Sequence, residues 1–477
     1  MFDVCEKSLR ELQTAMENKE TTSEELVLAY MERIARLDPQ LHSVLEINPD
    51  ALFIARSLDR ERANGKGRGP LHGIPVLVKD NISTSDRLHT SAGAESLKDN
   101  FSLKDAKVIE YLRKAGAVIL GKANLSEFAR YMATEIPNGY SARGGQCKNP
   151  YGEELDPLGS STGSAVAAAM SFCAAAVGTE TSGSIISPSS ANGIVGLKPT
   201  IGAVSRSGII PINSQDTAGP MGRSVEDVAL LYAGMVGPDP EDPATLATEE
   251  VVPDEYWPYL KKDALHGKRI GISRKARPWY SAEQLAAYEA ALPYLEKAGA
   301  VLVEDCDLPD VFPPSGFLSD MVLRYEFKCY MDHWLAKYCS LSDIRTLQDI
   351  VDYNNAHKET AIRYGQDILE DCAKTSGTMT EPDYLKEKIR LLAACSHGID
   401  DLLKEKDLDA LVCPGPTALA PTCGYPILNV PAGIAADGRP MGISFVGTAF
   451  SDGKLLSYGY AFEQISKLRK EPELSRK

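Results

Sequence analysis

Short apolar runs alternate with helical segments along most of this chain of 477 residues. The runs are rich in valine, isoleucine and leucine and are too short for stable helices, so they predict buried strands. They include residues 76–78, 117–120, 269–272 and 443–446. Helical spacing of apolar residues marks the first forty residues, segment 282–298 and most of 316–405. Since strands that alternate with helices build a sheet covered by helices, the pattern predicts an α/β fold with helices on both faces.

The same pattern shows no internal repeat, no low-complexity tract and no linker, so we expect a single domain over residues 1–477. An alanine-rich stretch at 165–177 is predicted to be a helix of small residues that packs closely. It is too short to span a bilayer.

Charge and cysteine usage exclude some partners. The net charge is -15, whereas phosphate binding needs a basic surface, so nucleic acid is not expected as a partner. The first residues lack the basic start and apolar run of a signal peptide. Ten cysteines without a C-x-x-C pair fit a reducing compartment. We therefore expect a cytoplasmic protein without a membrane or nucleic-acid partner.

Lys79 ends one of the predicted strands, directly after four apolar residues and a proline in the segment 74–79. An amine held in apolar surroundings loses hydration, which disfavours its charged form and lowers its pKa. A neutral lysine can act as a base near neutral pH. The same position also fits a lysine that only reaches solvent or pairs with Asp80.

Two runs rich in glycine, serine and threonine follow, at 159–164 and 178–184. The first contains G-x-S-x-G with Ser161 in the middle, which is the nucleophile elbow of α/β-hydrolases. Residues 153–158 before it lack a strand pattern, which that elbow requires. In the second run, glycine allows consecutive N–H groups to point to one side, as in an oxyanion hole, and Ser184 is the candidate nucleophile.

Two further patterns indicate no ligand site. Residues 116–122 match the phosphate-loop pattern G-x-x-x-x-G-K, but Ala123 follows where serine or threonine is needed. The seven histidines lack the spacing of metal ligands, so we predict no metal site.

Taken together, these motifs resemble the amidase signature family. The family carries a lysine on an apolar strand, a G-S-S-[GST]-G-S turn, and a nucleophilic serine in a G-[ST]-[DE]-[TI]-x-G-S stretch. Here these are Lys79, the run 159–164, and the run 178–184 that ends at Ser184. The resemblance covers most of the chain and is densest over about 70–225, which would be the signature core. It implies a mixed central sheet and a helical substrate-covering region at about 316–405.

The resemblance also implies a mechanism. Ser184 would be the nucleophile, Ser160 in a cis peptide would relay the proton, and Lys79 would be the base. The oxyanion hole would be formed by Thr181, Ser182, Gly183 and Ser184, and the triad would be supported by Ser161 and Ser164. The expected activity is hydrolysis of an amide through an acyl-enzyme, without metal or cofactor.

Within the family, the segments 138–146 and 205–211 look most like the peptide amidase branch, which acts on C-terminal peptide amides. Arg143, Gly144 and Gln146 would then line the substrate cleft. The expected partner is thus a small-molecule or peptide amide. Two alternatives stay open: a glutaminase-type component of an amidotransferase, which the isoleucine at 186 in place of a common arginine fits less well, and an α/β-hydrolase-type esterase that uses Ser161.

Overall fold

The structure is a computed structural model that describes residues 2–210, 214–246, 257–312 and 320–476. Helices and strands alternate through most of the chain. The strands are β1 (Val44–Ile47), β2 (Pro75–Lys79), β3 (Val118–Ala123), β4 (Tyr140–Ser141), β5 (Gly145–Gln146), β6 (Ala175–Glu180), β7 (Val195–Lys198), β8 (Thr217–Gly222), β9 (Arg269–Ile272), β10 (Val301–Val303), β11 (Ala410–Pro414), β12 (Ile427–Ile434) and β13 (Pro440–Val446). The helices are α1 (Leu9–Glu17), α2 (Ser23–Leu37), α3 (Ala51–Ala63), α4 (Lys107–Lys114), α5 (Thr162–Ala169), α6 (Ile186–Ala191), α7 (Val225–Ala233), α8 (Pro243–Leu246), α9 (Ala282–Ala291), α10 (Pro293–Lys297), α11 (Asp320–Tyr338), α12 (Leu347–Ala356), α13 (Lys358–Ala361), α14 (Asp367–Ala373), α15 (Pro382–Glu405), α16 (Leu419–Thr422) and α17 (Asp452–Ser466).

One mixed sheet of eleven strands organises the described residues, in the order β1-β3-β2-β6-β8-β7-β12-β13-β11-β9-β10. Strands β3, β2 and β6 are parallel, as are β11, β9 and β10, and antiparallel pairs join the two groups. Helices pack against this sheet: α5 contacts β6 and β8, α9 contacts β12 and β13, and α17 contacts β12. The chain is thus a single large α/β domain, as the alternation of strands and helices predicts.

The helical segment after residue 320 builds a core of its own. Phe327, Met331 and Trp334 of α11 pack with α12 and α14, in a cluster separate from the main core around the sheet. Phe128, Tyr140 and other side chains from the loops around the sheet join this second cluster. The predicted helical region 316–405 therefore contains α11 to α15, while residues 316–319 lie outside the described part of the chain. No helix in the described ranges is long and apolar enough to cross a membrane.

The predicted helix at 165–177 is wrong in its second half. Helix α5 ends at Ala169, Ser171 adopts a positive φ of 53°, and β6 begins at Ala175. Every residue of this alanine-rich stretch is buried, so its composition has no periodicity to separate a helix from a strand. The pairing of β6 between β2 and β8 decides the conformation instead.

The predicted helix at 282–298 is divided. Helix α9 ends at Ala291 and α10 begins at Pro293. Proline has no N–H to donate to the preceding turn, so it is tolerated at the start of a helix and not in its interior. The residue itself thus accounts for the break.

Candidate active site

Two neighbouring parallel strands end at the same place and bring the predicted site residues together. Strand β2 ends at Lys79, and β6 runs beside it, with Val78 opposite Val177, and ends at Glu180. The residues after β6, 181–184, form a loop that we call the nucleophile loop because it ends at Ser184. Ligands commonly bind beyond the carboxyl ends of parallel strands. The topology therefore places the lysine and the second hydroxyl-rich run at an edge of the sheet that suits a site.

The Lys79 amine is completely buried among hydroxyl groups. Its Nζ lies 2.8 Å from Ser160 Oγ, 3.0 Å from Ser161 Oγ and 2.9 Å from Thr179 Oγ1. Burial lowers the pKa of Lys79 from 10.5 to about 7, while the negative charges of Asp216 and Glu180 act in the opposite direction. The amine therefore exists in both protonation states near neutral pH. Pairing with Asp80 does not occur, because that carboxylate accepts the N–H groups of Ser91 and Gly93.

The Ser161 hydroxyl has all of its hydrogen-bonding positions filled. Its hydrogen goes to the Thr179 carbonyl at 2.9 Å, and its oxygen accepts the Thr179 N–H at 3.1 Å and a hydrogen of Lys79 Nζ. The side chain is fully buried. Residues 153–158 before it form no strand, so the nucleophile elbow expected for an α/β-hydrolase is missing from this described segment. These contacts favour a role in orienting Lys79 over a role as the nucleophile.

Ser160 follows a cis peptide bond from Gly159. Its carbonyl accepts the N–H of Ser126 at 3.0 Å, which fixes the turn from the side of β3. A Cβ at Gly159 would approach Ser126 Oγ to 2.6 Å, so a side chain here would displace the Ser126 hydroxyl. Among the described residues, the hydrogen-bond partner of Ser160 Oγ is Lys79 Nζ. The Ser160 hydroxyl is thus free to exchange a proton with the amine.

Ser184 is half-buried at the end of the nucleophile loop. Its carbonyl accepts the Ser161 N–H at 3.1 Å, which holds the two hydroxyl-rich runs side by side. Its own hydroxyl makes no hydrogen bond to Ser160 or Lys79 within the described ranges. Catalytic hydrogen bonds are often long in enzymes without substrate and shorten when substrate binds.

The nucleophile loop is shaped by Glu180, whose side chain is fully buried. Its carboxylate accepts the N–H groups of Ile185 at 2.7 Å and Ile186 at 3.0 Å. Burial raises the pKa of Glu180, and hydrogen bonds from Ile186, Ile185 and Gly183 oppose that shift. Gly183 has a φ of 86°, a left-handed conformation that glycine adopts without strain. The carboxylate thus turns the chain so that the loop begins at the end of β6 and closes at Ser184.

The other N–H groups of the loop are open. In the part of the chain that the structure describes, those of Thr181, Ser182 and Ser184 have no hydrogen-bond acceptor. The Gly183 N–H donates to the Glu180 carboxylate instead. The open N–H groups next to a half-buried hydroxyl are suited to receive an oxygen that gains negative charge.

Comparisons with known proteins identify the family of this chain. The family model described as Amidase matches residues 25–456. The chain is 39% identical to a probable amidase of Arabidopsis thaliana, over 99% of this chain and 92% of the plant protein. It is 34% identical to a component of the glutamyl-tRNA(Gln) amidotransferase of Methylobacillus flagellatus, over 96% of this chain and 97% of that protein. The solved peptide amidase of Stenotrophomonas maltophilia is similar at a TM-score of 0.92 with 41% identity, over 99% of this chain and 100% of that chain.

The chain belongs to the amidase signature family. It is therefore a hydrolase that acts on amide bonds. The resemblance found in the sequence motifs is confirmed over nearly the whole chain.

The residues expected to line the substrate cleft of the amidase make contacts within the protein. Arg143 lies 2.6 Å from the Glu46 carboxylate and 3.7 Å from that of Asp80. The Gly144 N–H donates to Ser141 Oγ at 3.0 Å, and Gln146 Nε2 donates to two backbone carbonyls. These contacts hold the β4–β5 hairpin in place. Their role toward substrate stays a prediction.

Three site residues of the amidase had no assigned role in the sequence motifs. Thr179 accepts hydrogen bonds from Lys79 Nζ through its hydroxyl and its carbonyl. Asn81 Nδ2 donates to the same hydroxyl at 3.0 Å. Asp216 accepts the Thr181 hydroxyl. Thr179 belongs to the run 178–184, so the sequence motif contains this residue but does not reveal its contacts with Lys79 and Asn81. Ser164, predicted to support the triad, donates to the Val177 carbonyl at 3.1 Å and so joins α5 to β6.

The described part of this amidase holds no cluster of metal ligands. Within the described ranges, no group of three or more histidine, cysteine, aspartate or glutamate side chains is arranged to hold a metal ion. The nearest histidine to the lysine strand in sequence, His72, is buried, with Nε2 2.9 Å from the Leu58 carbonyl. The polar groups that surround Lys79 are thus the hydroxyls of Ser160, Ser161 and Thr179 and the Thr179 carbonyl.

Proposed function

We propose that this amidase hydrolyses carboxylic amides, including C-terminal peptide amides, with Ser184 as nucleophile, Ser160 as proton relay and Lys79 as base. The observation that carries the proposal is a fully buried amine, with its pKa lowered to about 7, placed 2.8 Å from the Ser160 hydroxyl. A base with a pKa near the working pH is the most effective proton acceptor.

The residues around Lys79 favour transfer of a proton from Ser160 to the Lys79 amine. Ser161 Oγ already gives its hydrogen to a carbonyl, so it can only accept from the amine. A neutral amine that donates to Ser161 still has a lone pair, and Ser160 is the neighbouring hydroxyl without another partner in the described residues. Ser161 and Thr179 are therefore assigned the task of turning the lone pair of Lys79 toward Ser160.

In acylation, Ser184 Oγ forms a bond to the carbonyl carbon of the amide. Its proton passes to Ser160 Oγ, and the proton of Ser160 passes to Lys79 Nζ. The electron pair of the C=O bond moves onto the oxygen, where the open N–H groups of Thr181, Ser182 and Ser184 would stabilise it. The N–H of Gly183, which the resemblance also assigns to the oxyanion hole, is directed to the Glu180 carboxylate instead. Each effective donor of this kind lowers the barrier by about 3 kcal/mol.

Collapse of this intermediate breaks the C–N bond. The leaving nitrogen takes a proton from Ser160, which regains one from Lys79, and Ser184 remains as an ester. Water then attacks the ester while its proton passes through Ser160 to Lys79, and the acid departs as Ser184 is reprotonated. Substrate, water and three side chains supply every proton and electron pair, so the proposal calls for no metal or cofactor.

Similarity supports peptide amides as substrates. The Stenotrophomonas protein is named a peptide amidase and matches this chain over its full length. The segment 138–146, which carries the sequence resemblance to that branch, lies at the site, since the Gly139 N–H donates to Ser126 Oγ and Ser126 holds Ser160. We expect ammonia and a peptide acid as products.

A glutaminase role in an amidotransferase is the second candidate. It is favoured by the relative at 34% identity that is named as one component of a glutamyl-tRNA(Gln) amidotransferase. In that case hydrolysis of glutamine would depend on partner chains, which would purify together with this protein. Ammonia release from free peptide amides by the isolated chain would argue against it.

Ammonia release from peptide, fatty and aryl amides and from glutamine tests the proposal. Lys79→Ala and Ser184→Ala should abolish turnover in folded protein, and a fluorophosphonate should label Ser184. Lys122→Met is the matched control, because Lys122 is equally buried on β3 but donates to the Ile82 carbonyl and Thr90. An active Lys79→Ala variant, or absence of labelling at Ser184, would contradict the mechanism.

A further inference from the structure

The segment 214–216 runs beside the nucleophile loop and contacts it twice. Gln215 Nε2 donates to the Thr181 carbonyl at 3.0 Å, and the Thr181 hydroxyl donates to the Asp216 carboxylate. The segment leads directly into β8, whose Thr217 is opposite Glu180 at the end of β6. The loop follows the end of β6 and the segment precedes the start of β8, and these two strand ends are paired with each other. The position of one limits the position of the other.

Glu326 holds this segment from the helical region. It lies on α11, is fully buried, and accepts both the N–H and the hydroxyl of Ser214 at 2.9 Å. Two groups of α15 complete its surroundings: the Tyr384 hydroxyl donates to it at 2.9 Å, and the Lys388 ammonium pairs with it. A buried carboxylate is costly unless its oxygens are paired, and here they are bound by three residues.

A second contact fixes the same residue. Arg206 Nη1 donates to the Ser214 carbonyl at 3.2 Å, while its other nitrogens pair with Asp242. Ser214 is therefore held through its N–H, its hydroxyl and its carbonyl. Of these, the contacts through Glu326 join the segment to α11, which belongs to the second core, and to α15, whose Tyr384 packs with Val322 of α11. Hydrogen bonds at Ser214 and at its neighbour Gln215 thus connect the helical region to Thr181.

We propose that Glu326 is a positioning residue for the amidase reaction. By holding Ser214 it fixes Gln215 and Asp216, and through them Thr181 and the open N–H groups of the nucleophile loop. Glu326 itself touches neither Thr181 nor Ser184 in the described chain. The effect on catalysis rests on the proposed function, whereas the effect on the order of the loop does not.

Kinetics of Glu326→Ala and Glu326→Gln test the effect on catalysis. We expect Glu326→Ala to lower kcat by about tenfold to a hundredfold with KM changed by less than about threefold, since a small displacement of catalytic groups has effects of this size. Glu326→Gln keeps one acceptor oxygen and should recover part of kcat. Ser214→Ala removes only the hydroxyl contact, and combined with Glu326→Gln it should show a non-additive loss.

Asp452→Asn is the matched control. Asp452 is also buried, and it accepts the N–H and hydroxyl of Thr200 and the hydroxyl of Tyr232, at 2.9, 2.6 and 3.0 Å. It thus resembles Glu326 in its donors, but its contacts do not reach the nucleophile loop. We expect this variant to keep kcat after correction for the folded fraction.

Hydrogen exchange of the full-length protein provides a readout that does not need turnover. The amides of Gly183, Ile185 and Ile186, which donate to the Glu180 carboxylate, should exchange faster in Glu326→Ala and at the wild-type rate in Asp452→Asn. Unchanged exchange together with unchanged kcat, additive losses with Ser214→Ala, or a loss explained by the folded fraction would each overturn the proposal. Faster exchange in a protein without amide hydrolysis would support the positioning role and refute the proposed function.

Discussion

Replacing Lys79 by methionine should raise the free energy of unfolding relative to wild type at low pH, and this gain should become smaller as the pH rises. In the folded protein the pKa of Lys79 is lowered from 10.5 to about 7 by burial. Between these two values the unfolded chain binds a proton that the folded chain does not, so stability rises with pH over this window. Below pH 7 the folded protein carries the full cost of a buried charge. Methionine has no charge and removes both the cost and its pH dependence.

The magnitude follows from the size of the shift. One pKa unit corresponds to 1.36 kcal/mol, so the cost is about 4 kcal/mol at pH 7 and about 1 kcal/mol at pH 9.5. Hydrogen bonds lost with the amine add a term that is constant with pH. The stability of Lys79→Met relative to wild type should therefore fall by about 3 kcal/mol between these pH values. For a chain of this length, about 2.1 cal/mol/K of unfolding entropy per residue makes this about 3 °C in Tm.

Thermal unfolding at several pH values between 6 and 9.5 measures the difference in Tm between Lys79→Met and wild type. The variant should also be inactive, while Lys122→Met, in which the removed amine has a pKa lowered to about 8, should stay active and show a similar trend. A Tm difference for Lys79→Met that is the same at pH 7 and pH 9.5 would refute the reasoning. It would mean that Lys79 remains charged in the folded protein.

Three further changes test the site. Ser161→Ala removes the acceptor that fixes Lys79 and leaves buried Thr179 groups unpaired, so kcat should fall and stability should drop by about 1–3 kcal/mol; wild-type kcat would contradict this. Asp216→Asn removes a negative charge that raises the pKa of Lys79, so the acid limb of the kcat/KM profile should move to lower pH, and a move to higher pH would count against the assignment. Arg143→Met breaks the pairs with Glu46 and Asp80 and should lower stability by about 1–3 kcal/mol with little change in KM, whereas a large rise in KM at unchanged Tm would instead place Arg143 in the substrate cleft.

Elements with a clear local signal could be predicted from the sequence. Thr22 and Glu25 form the capping box expected at the start of α2, and the short apolar run at 76–78 lies within β2. The second half of the stretch 165–177 could not be predicted, because a fully buried alanine-rich run has no periodicity that separates a strand from a continuing helix. Only the neighbours β2 and β8 make its last part a strand. The sequence pattern of a helix or strand predicts its type when one of its faces is polar. It does not do so when both faces are buried, because the alternation of polar and apolar residues is then absent.

The residue types at 79, 159–164 and 178–184 determined the family and the kind of chemistry, because hydroxyl runs and a lysine at these spacings are specific signals. The tertiary structure decided what surrounds each group. It desolvated the Lys79 amine, placed it against Ser160 and filled the hydrogen-bonding positions of Ser161. It also brought Asp216 to the nucleophile loop and Glu326 to Ser214. A pKa and a hydrogen-bond partner depend on what surrounds a group in space, and here those surroundings come from residues 18 to 112 positions away in the sequence.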